Sequence, residues 1–361
     1  MGEIAFTLVS PSTNIASSFH SPPAIAHKTI PTSAHPNEPI CAAIARLMIA
    51  NMVHDAIIIG GSAAGLSAAV VLGRCRRSVL VLDAGHPRNY ASRHVHNFLT
   101  RDGIHPAKLL SIARHDIRRY GVQFRKTFVT SVACTPGGFA VRTRERLHFE
   151  CRLLLLATGV VDLLPTIPDL PAFYGKGVHH CPYCDAYEYA NLPMAAYGCG
   201  KAGLGLALNL LTWSKDVTIL ADGEHLDASS RRQAHAFGLQ MREERIIGLR
   251  SARDRKRPTA RDPLTSVLFD QGPPQRVSSL FFNTGQVQRS GIPARLGCAI
   301  NADGGIVRDK RQRTGVPGLF LAGDASADVQ FIVVAAAEGA KAGVAMNREL
   351  QERERGEVLK R

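Results

Sequence analysis

The chain lacks any apolar run long enough to cross a bilayer. A spanning helix needs roughly 18 or more consecutive apolar residues, and the candidate stretch 42–53 is interrupted by Arg46 and Asn51; no membrane partner is expected. Aromatic residues are few, 6% of the chain with a single Trp. The cationic groups at 74–77, 114–126, 250–261 and 308–313 therefore lack the interleaved rings on which nucleic-acid bases stack. The net charge of +14, from 44 Lys and Arg against 30 Asp and Glu, is read as a basic surface, with no nucleic-acid partner. Cysteine is scarce: eight residues, irregularly spaced, of which only Cys181 and Cys184 stand close together. That excludes a secreted disulfide scaffold and suits a reducing cytoplasm with one working pair. Glycine (32) and proline (20) stay near ordinary usage, which with 45% hydrophobic residues excludes whole-chain disorder and collagen-like repeats.

What remains is a globular chain of 361 residues, a length that predicts about two domains. Residues 1–51 hold only Glu3, Lys28, Glu38 and Arg46 as charges among Ser, Thr, Pro, Ala and His, and are expected to be mostly disordered. They lack the basic region and apolar stretch of a signal peptide. Met52 stands just before a strand predicted over 56–59, followed by a glycine turn, a buried helix over 64–72 and a second strand over 78–82. The same order recurs with a strand over 194–197, a glycine turn, a helix over 202–213 and a strand over 216–220. Two doubly wound, Rossmann-like α/β units are thus written in one chain. Further strands over 153–156 and 319–322 run into Ala157-Thr158-Gly159 and Gly323-Asp324, and ligands sit at the carboxyl ends of such strands. The basic stretch 250–275 reads as a surface loop, and 351–361 as a charged tail.

The first turn reads Gly60-Gly61-Ser62-Ala63-Ala64-Gly65. Small residues let the backbone approach a pyrophosphate, and the following helix supplies amide donors and a partial positive charge. Asp83, at the end of the next strand, suits a carboxylate that accepts both hydroxyls of an adenosine ribose. The second turn, built on Gly198, Gly200 and Gly203, is complete, but its strand leads into Ala221-Asp222-Gly223. A 2′-phosphate needs guanidinium groups there and Asp222 would repel it; only the more distant Arg231 and Arg232 offer positive charge.

Cys181-Pro182-Tyr183-Cys184 is followed by Asp185 and preceded by His179 and His180. Two sulfurs separated by two residues can close a disulfide within one helical turn, and neighbouring protonatable groups can carry the proton that each exchange step requires. The rival is zinc. No second C-x-x-C exists to make a four-cysteine site, so redox chemistry is favoured and no metal is expected. The remaining cysteines, Cys41, Cys75, Cys134, Cys151, Cys199 and Cys298, are expected to be small core residues.

From about residue 52 to 350 the chain resembles the low-molecular-weight thioredoxin reductase family of FAD-dependent pyridine nucleotide-disulfide oxidoreductases. The resemblance is carried by the turn from Gly60, the segment from Asp83 to Asn89, Ala157-Thr158-Gly159, the cysteine pair with Asp185, and Gly318-Leu319-Phe320-Leu321-Ala322-Gly323-Asp324. It implies an FAD domain over 52–162 and 288–350, interrupted by a nicotinamide-type domain over 163–287 that carries the disulfide. By position, Asp324 would bond the ribityl chain of FAD, Asn97 would lie beside the flavin, and Gln330 would precede a helix whose N-terminus faces the flavin. Cys184 would face the flavin, Cys181 would exchange with substrate, and Asp185, with His180 beside it, would serve acid–base chemistry.

The resemblance implies electron transfer between NADPH or NADH, FAD, the cysteine pair and the disulfide of a thioredoxin-like protein or a small molecule, in a cytoplasmic homodimer. Two alternatives stay open from sequence: a dithiol oxidase that passes electrons to oxygen without a nicotinamide, and a flavin-binding redox sensor.

Overall fold

The computed structural model describes residues 53–252, 263–326 and 328–360; the extension expected over 1–51 lies outside them. Six strands open the described chain: β1 (Val53–Ile59), β2 (Val79–Asp83), β3 (Gln123–Lys126), β4 (Val129–Thr135), β5 (Gly138–Thr143) and β6 (His148–Leu156). They lie in the order β3-β2-β1-β6-β5-β4. Strands β3, β2, β1 and β6 run parallel, while β5 lies antiparallel to β6 and β4 antiparallel to β5. Parallel strands covered on both faces read as unbroken apolar runs, and Ala56, Ile57 and Ile58 have no exposed surface. Side chains alternate across a strand, so Ala56, Ile58, Val79 and Val81 pack with helix Ala63–Arg74. Ile57, Ile59, Leu80 and Leu82 face the opposite core with Phe139, Val141 and Phe149.

Strand β7 (Val160–Asp162) leads out of this unit. A second sheet follows from β8 (Val178–His179), β9 (Met194–Tyr197), β10 (Val217–Leu220), β11 (Gln240–Arg242) and, after the antiparallel trio β12 (Ile246–Ser251), β13 (Leu264–Phe269) and β14 (Gln275–Arg276), from β15 (Ser279–Phe282). Its order is β11-β10-β9-β15-β8, all parallel. Strand β16 (Gln286–Gln288) returns antiparallel to β7, and β17 (Leu319–Leu321) then pairs with β6 through Leu154–Leu156, completing the first sheet. The two Rossmann-like sheets are therefore nested in sequence, as the resemblance implies.

Three local expectations are corrected. Residues 264–269 of the supposed loop form β13, whose Leu264, Val267 and Phe269 are core residues, and only 253–262 lie outside the described residues. The supposed charged tail belongs to helix Ile332–Val358. There Glu354 accepts from Arg77 and Arg152, which also pairs with Asp55, so the charges fasten the helix to β1, β6 and the entry to β2. Of the described unpaired cysteines, Cys151 and Cys298 are buried, but Cys75 and Cys134 are exposed. Among the described residues, no helix is long and apolar enough to cross a membrane.

The long helix and helix Ala63–Arg74 approach through small residues. A Cβ on Gly339 would stand 1.9 Å from the Ala64 carbonyl oxygen, and one on Gly343 would stand 2.9 Å from the Val71 Cβ. Gly339→Ala should therefore force the helices apart and destabilise the protein by about 1–3 kcal/mol in chemical denaturation. Gly356→Ala, where nothing lies within 4 Å, should raise stability by up to about 1 kcal/mol through helix propensity. Equal effects at both positions would overturn this account of the contact.

Candidate redox site and cofactor cavity

The carboxyl ends of the parallel strands in the first sheet open into a cavity of about 520 Å³, within the range of cofactor sites. Gly60, Ser62, Asp83, Thr158 and Gly159 line it, as do Gly323, Asp324 and Gln330. Gly60 has φ +112°, and a Cβ there would stand 2.1 Å from the Ala157 oxygen; a Cβ on Gly65 would stand 1.9 Å from the Gly60 oxygen. The turn closes tightly only with glycine at both places. The Ser62 side chain makes no capping bond to helix Ala63–Arg74, which leaves the first-turn donors for an anion.

Asp83 accepts from the Gly61 amide at 3.1 Å and from Arg114 at 3.2 Å. A carboxylate has roughly four lone-pair positions, so this anchoring leaves capacity for hydroxyls. On the opposite wall the Thr158 Oγ1 is buried without a hydrogen-bond partner, a condition that a bound polar group relieves. The cradle, the free helix end, the anchored carboxylate and the orphaned hydroxyl together fit FAD.

Three segments meet at Arg88. Its Nε and Nη2 donate to Asp162 at the end of β7, while Nη1 donates to Asp324 Oδ2 at 2.9 Å and to Gln330 Oε1 at 2.7 Å. Burial opposes the charge, but the bonds and charges of Asp162 and Asp324 outweigh it and hold the guanidinium well above its ordinary range. Arg88 in turn offsets the burial of Asp162 and holds that carboxyl below its usual range. Tyr174 donates its hydroxyl to Asp162 Oδ2 at 2.9 Å and lies 3.3 Å from His180 Nδ1. Burial pushes the Tyr174 hydroxyl up and the His180 imidazole down, so near neutral pH the tyrosine keeps its proton and the histidine is uncharged. Further along, the buried Glu338 accepts from the Gly323 amide at 2.7 Å and from Arg308, fixing the turn that carries Asp324.

The redox pair sits where β8 ends. Cys181 is extended, Pro182 opens the short helical turn Pro182–Asp185, and Cys184 returns over Cys181. Proline at the first helical position favours this geometry. The sulfurs are joined in a disulfide, with Cα atoms 5.3 Å apart. Cys184, Asp185 and His180 line the cofactor cavity and Cys181 does not. Asn97 also stands outside that lining; its side-chain amide donates to the Tyr183 carbonyl at 2.7 Å, bracing the disulfide turn.

At the second glycine turn, a Cβ on Gly203 would stand 2.2 Å from the Gly198 oxygen, and Gly198 and Gly200 have φ +138° and +58°. Cys199 at the N-cap of helix Gly200–Leu210 makes no capping bond. Asp222 is turned inward, accepting from the Tyr197 hydroxyl at 3.1 Å and the Ile246 amide at 2.7 Å. Arg231 is held by Glu243 at 2.5 Å.

Residues 54–339 match the family described as pyridine nucleotide-disulphide oxidoreductase. The chain belongs to this family. It is similar to a protein of Arthroderma benhamiae named "Probable thioredoxin reductase", with 31% identity over 84% of this chain and 82% of the relative. Among solved structures it is similar to HlmI, at 32% identity and TM-score 0.80 over 85% of this chain and 96% of that one. An oxidoreductase from Agrobacterium tumefaciens matches at 31% identity and TM-score 0.75, over 83% of this chain and 99% of that one. Family membership and the closed disulfide beside the cavity make the protein an FAD-dependent disulfide oxidoreductase.

Neither Arg88, Asp162, Tyr174 nor Glu338 stands out as a site residue in the sequence; only their meeting in space reveals them. Arg88 lies within the segment from Asp83 to Asn89 that carries the resemblance, which is the one signal pointing to it. The side chains of Arg88, Asp162 and Asp324 are 15%, 6% and 19% exposed, and removing one partner of a buried pair costs about 3–5 kcal/mol. Arg88→Leu should lose stability of that order in chemical denaturation and retain less flavin on gel filtration. Arg88→Lys, which keeps the charge but not the fork, should fall between; a fully stable Arg88→Leu would refute the role.

Proposed function

We propose that the enzyme draws electrons from a nicotinamide, passes them through FAD to the Cys181–Cys184 disulfide, and delivers them through Cys181 to the disulfide of a thioredoxin-like partner. The observation that carries this reading is the asymmetry of the pair: Cys184 lines the cofactor cavity with Asp185, and Cys181 does not. The turn of Gly60, Ser62 and Gly65 would hold the pyrophosphate of FAD, Asp83 its ribose, Thr158 and Gly159 the opposite wall, and Asp324 the ribityl chain beside Gln330. When bound, FAD supplies a two-electron carrier that accepts hydride from the nicotinamide and reduces the disulfide.

Two electrons and two protons convert the Cys181–Cys184 disulfide to thiols. Asp185 then takes the Cys181 proton as that sulfur attacks the partner's disulfide, and returns it to the departing partner sulfur. The Cys184 thiolate breaks the resulting mixed disulfide, restores the Cys181–Cys184 bond and releases the second partner sulfur, which takes up the proton lost from Cys184. With the holoenzyme, Cys184→Ser should accumulate the mixed disulfide with an oxidised thioredoxin-like protein, detected on a non-reducing gel, and Cys181→Ser should not. The reverse pattern would exchange the roles of the two sulfurs.

We further propose that NADH is preferred to NADPH. Gly60 donates to the Leu82 carbonyl and Gly198 to the Leu220 carbonyl, so Ala221 stands in register with Asp83 and offers a 2′-phosphate neither charge nor hydrogen bond. The nearby guanidinium of Arg231 is committed to Glu243, which also binds His225 and the Leu226 amide. Equilibrium titration of the oxidised protein with each nicotinamide should give tighter binding of NADH. Glu243→Gln, by releasing Arg231, should tighten NADPH binding about tenfold, the scale of one charge-assisted contact. Strong NADPH preference in the unmodified enzyme would overturn this specificity while leaving the cysteine assignments standing.

A further inference from the structure

His179 occupies a place that the reaction has not yet used. It lies in β8, in register with Phe281 of β15, and its ring stacks on the Phe281 ring with centroids 5.5 Å apart and planes at 29°. Only 5% of it is exposed. The Gly177 amide donates to Nε2 at 3.0 Å, and the Tyr189 hydroxyl lies 3.2 Å from the same nitrogen. A backbone amide can only donate, so Nε2 must accept and the ring proton of the neutral imidazole sits on Nδ1. Burial pushes the Tyr189 hydroxyl up to about 12, so it keeps its proton beside Nε2. Nδ1 lies 3.3 Å from Asp185 Oδ1.

We propose that His179 is a positioning residue that aims Asp185 at the cysteine pair from a buried Nδ1–H facing its carboxylate. The proposal rests on the acid–base role assigned above to Asp185. Because Nε2 accepts from Gly177, Nδ1 is the ring's donor, and His179 acts by orientation. With His179 Nδ1 facing Oδ1 at 3.3 Å, the second carboxylate oxygen is the one left to exchange a proton with sulfur. Asp185, together with His94 and His96, lines both the cofactor cavity, where Cys184 is its neighbour, and an outer recess of about 300 Å³ that it shares with His179. Other charged or titratable groups face the pair. Glu188 and Tyr189 come from the following turn, Arg93, His94 and His96 from the segment after the first sheet's second strand, and Lys176 from the approach to β8. His180 is the chain neighbour.

The test is the rate at which reduced holoenzyme variants reduce hydroxyethyl disulfide, whose alkyl thiolate leaves poorly without a proton, against an aromatic disulfide whose thiolate leaves freely. His179→Phe keeps the stacking and removes the donor; it should lower kcat for the alkyl disulfide about tenfold, leave KM nearly unchanged and alter the aromatic reaction less than twofold. Added to Asp185→Asn it should cost nothing more, because both changes interrupt one function. His179→Asn, whose side-chain amide can occupy the place of Nδ1–H, should recover most of the rate, and His179→Gln should not. That last comparison carries the test even where His179→Phe folds poorly.

Additive losses in the double variant, or equal behaviour of the Asn and Gln variants, would overturn the role of His179 alone. An Asp185→Asn enzyme with full activity on the alkyl disulfide would instead remove the acid–base role of Asp185, and this inference with it.

Discussion

One largely enclosed guanidinium ties the cofactor cavity together. Arg88 leaves the loop after β2 and reaches Asp162, Asp324 and Gln330, partners separated from it by 74, 236 and 242 residues in sequence. Taking charges out of water is costly unless they are paired and fully bonded, so each of these segments is held to one position by the need of the others. The planar fork of arginine makes this possible, since it donates in several fixed directions where lysine offers a single charged point. Through Asp162 and Tyr174 the same network extends to His180. The wall of the cavity and the turn that bears the disulfide therefore share one electrostatic anchor.

The two glycine turns illustrate how one backbone solution serves two chemistries. Both bring a helix N-terminus to the end of a parallel strand, and both depend on glycine where a side chain would collide with a carbonyl. They diverge one residue beyond the strand hydrogen bond, where the first unit has Asp83 and the second has Ala221. Phosphate cradling is a backbone property, and both turns keep the backbone it needs; discrimination among riboses is a side-chain property and is free to change.

Much of this was legible in the sequence for a physical reason. Strands buried on both faces must be apolar throughout, and tight turns against a pyrophosphate must be small, so the paired strand–turn–helix units and the cysteine pair announce themselves locally. The range 194–197 agrees with β9 to the residue. Features made by distant partners were not legible. Arg88 and Asp162 look like ordinary surface charges until β7 brings them together, and the charges of 351–358 look like a tail until Arg77 and Arg152 meet Glu354. In 264–269 the run of basic residues upstream masked a strand whose inward residues, Leu264, Val267 and Phe269, do not follow a strict alternation. The resemblance puts Asn97 beside the flavin, and the bond its amide donates to the Tyr183 carbonyl is a contact that no local pattern announces.

The late return of β17 has a consequence for synthesis on the ribosome. The apolar edge Leu154–Leu156 is paired by Leu319–Leu321, and about 160 residues must be translated between the two. At typical elongation rates of about 5–20 residues per second, that edge waits on the order of ten to thirty seconds for its neighbour. The second sheet, made of consecutive residues from β8 to β15, can close during the interval. A nascent chain arrested there would carry a finished inner unit within an outer one whose open strand invites pairing with another chain, which makes the completion of translation itself the step that protects this protein from aggregation.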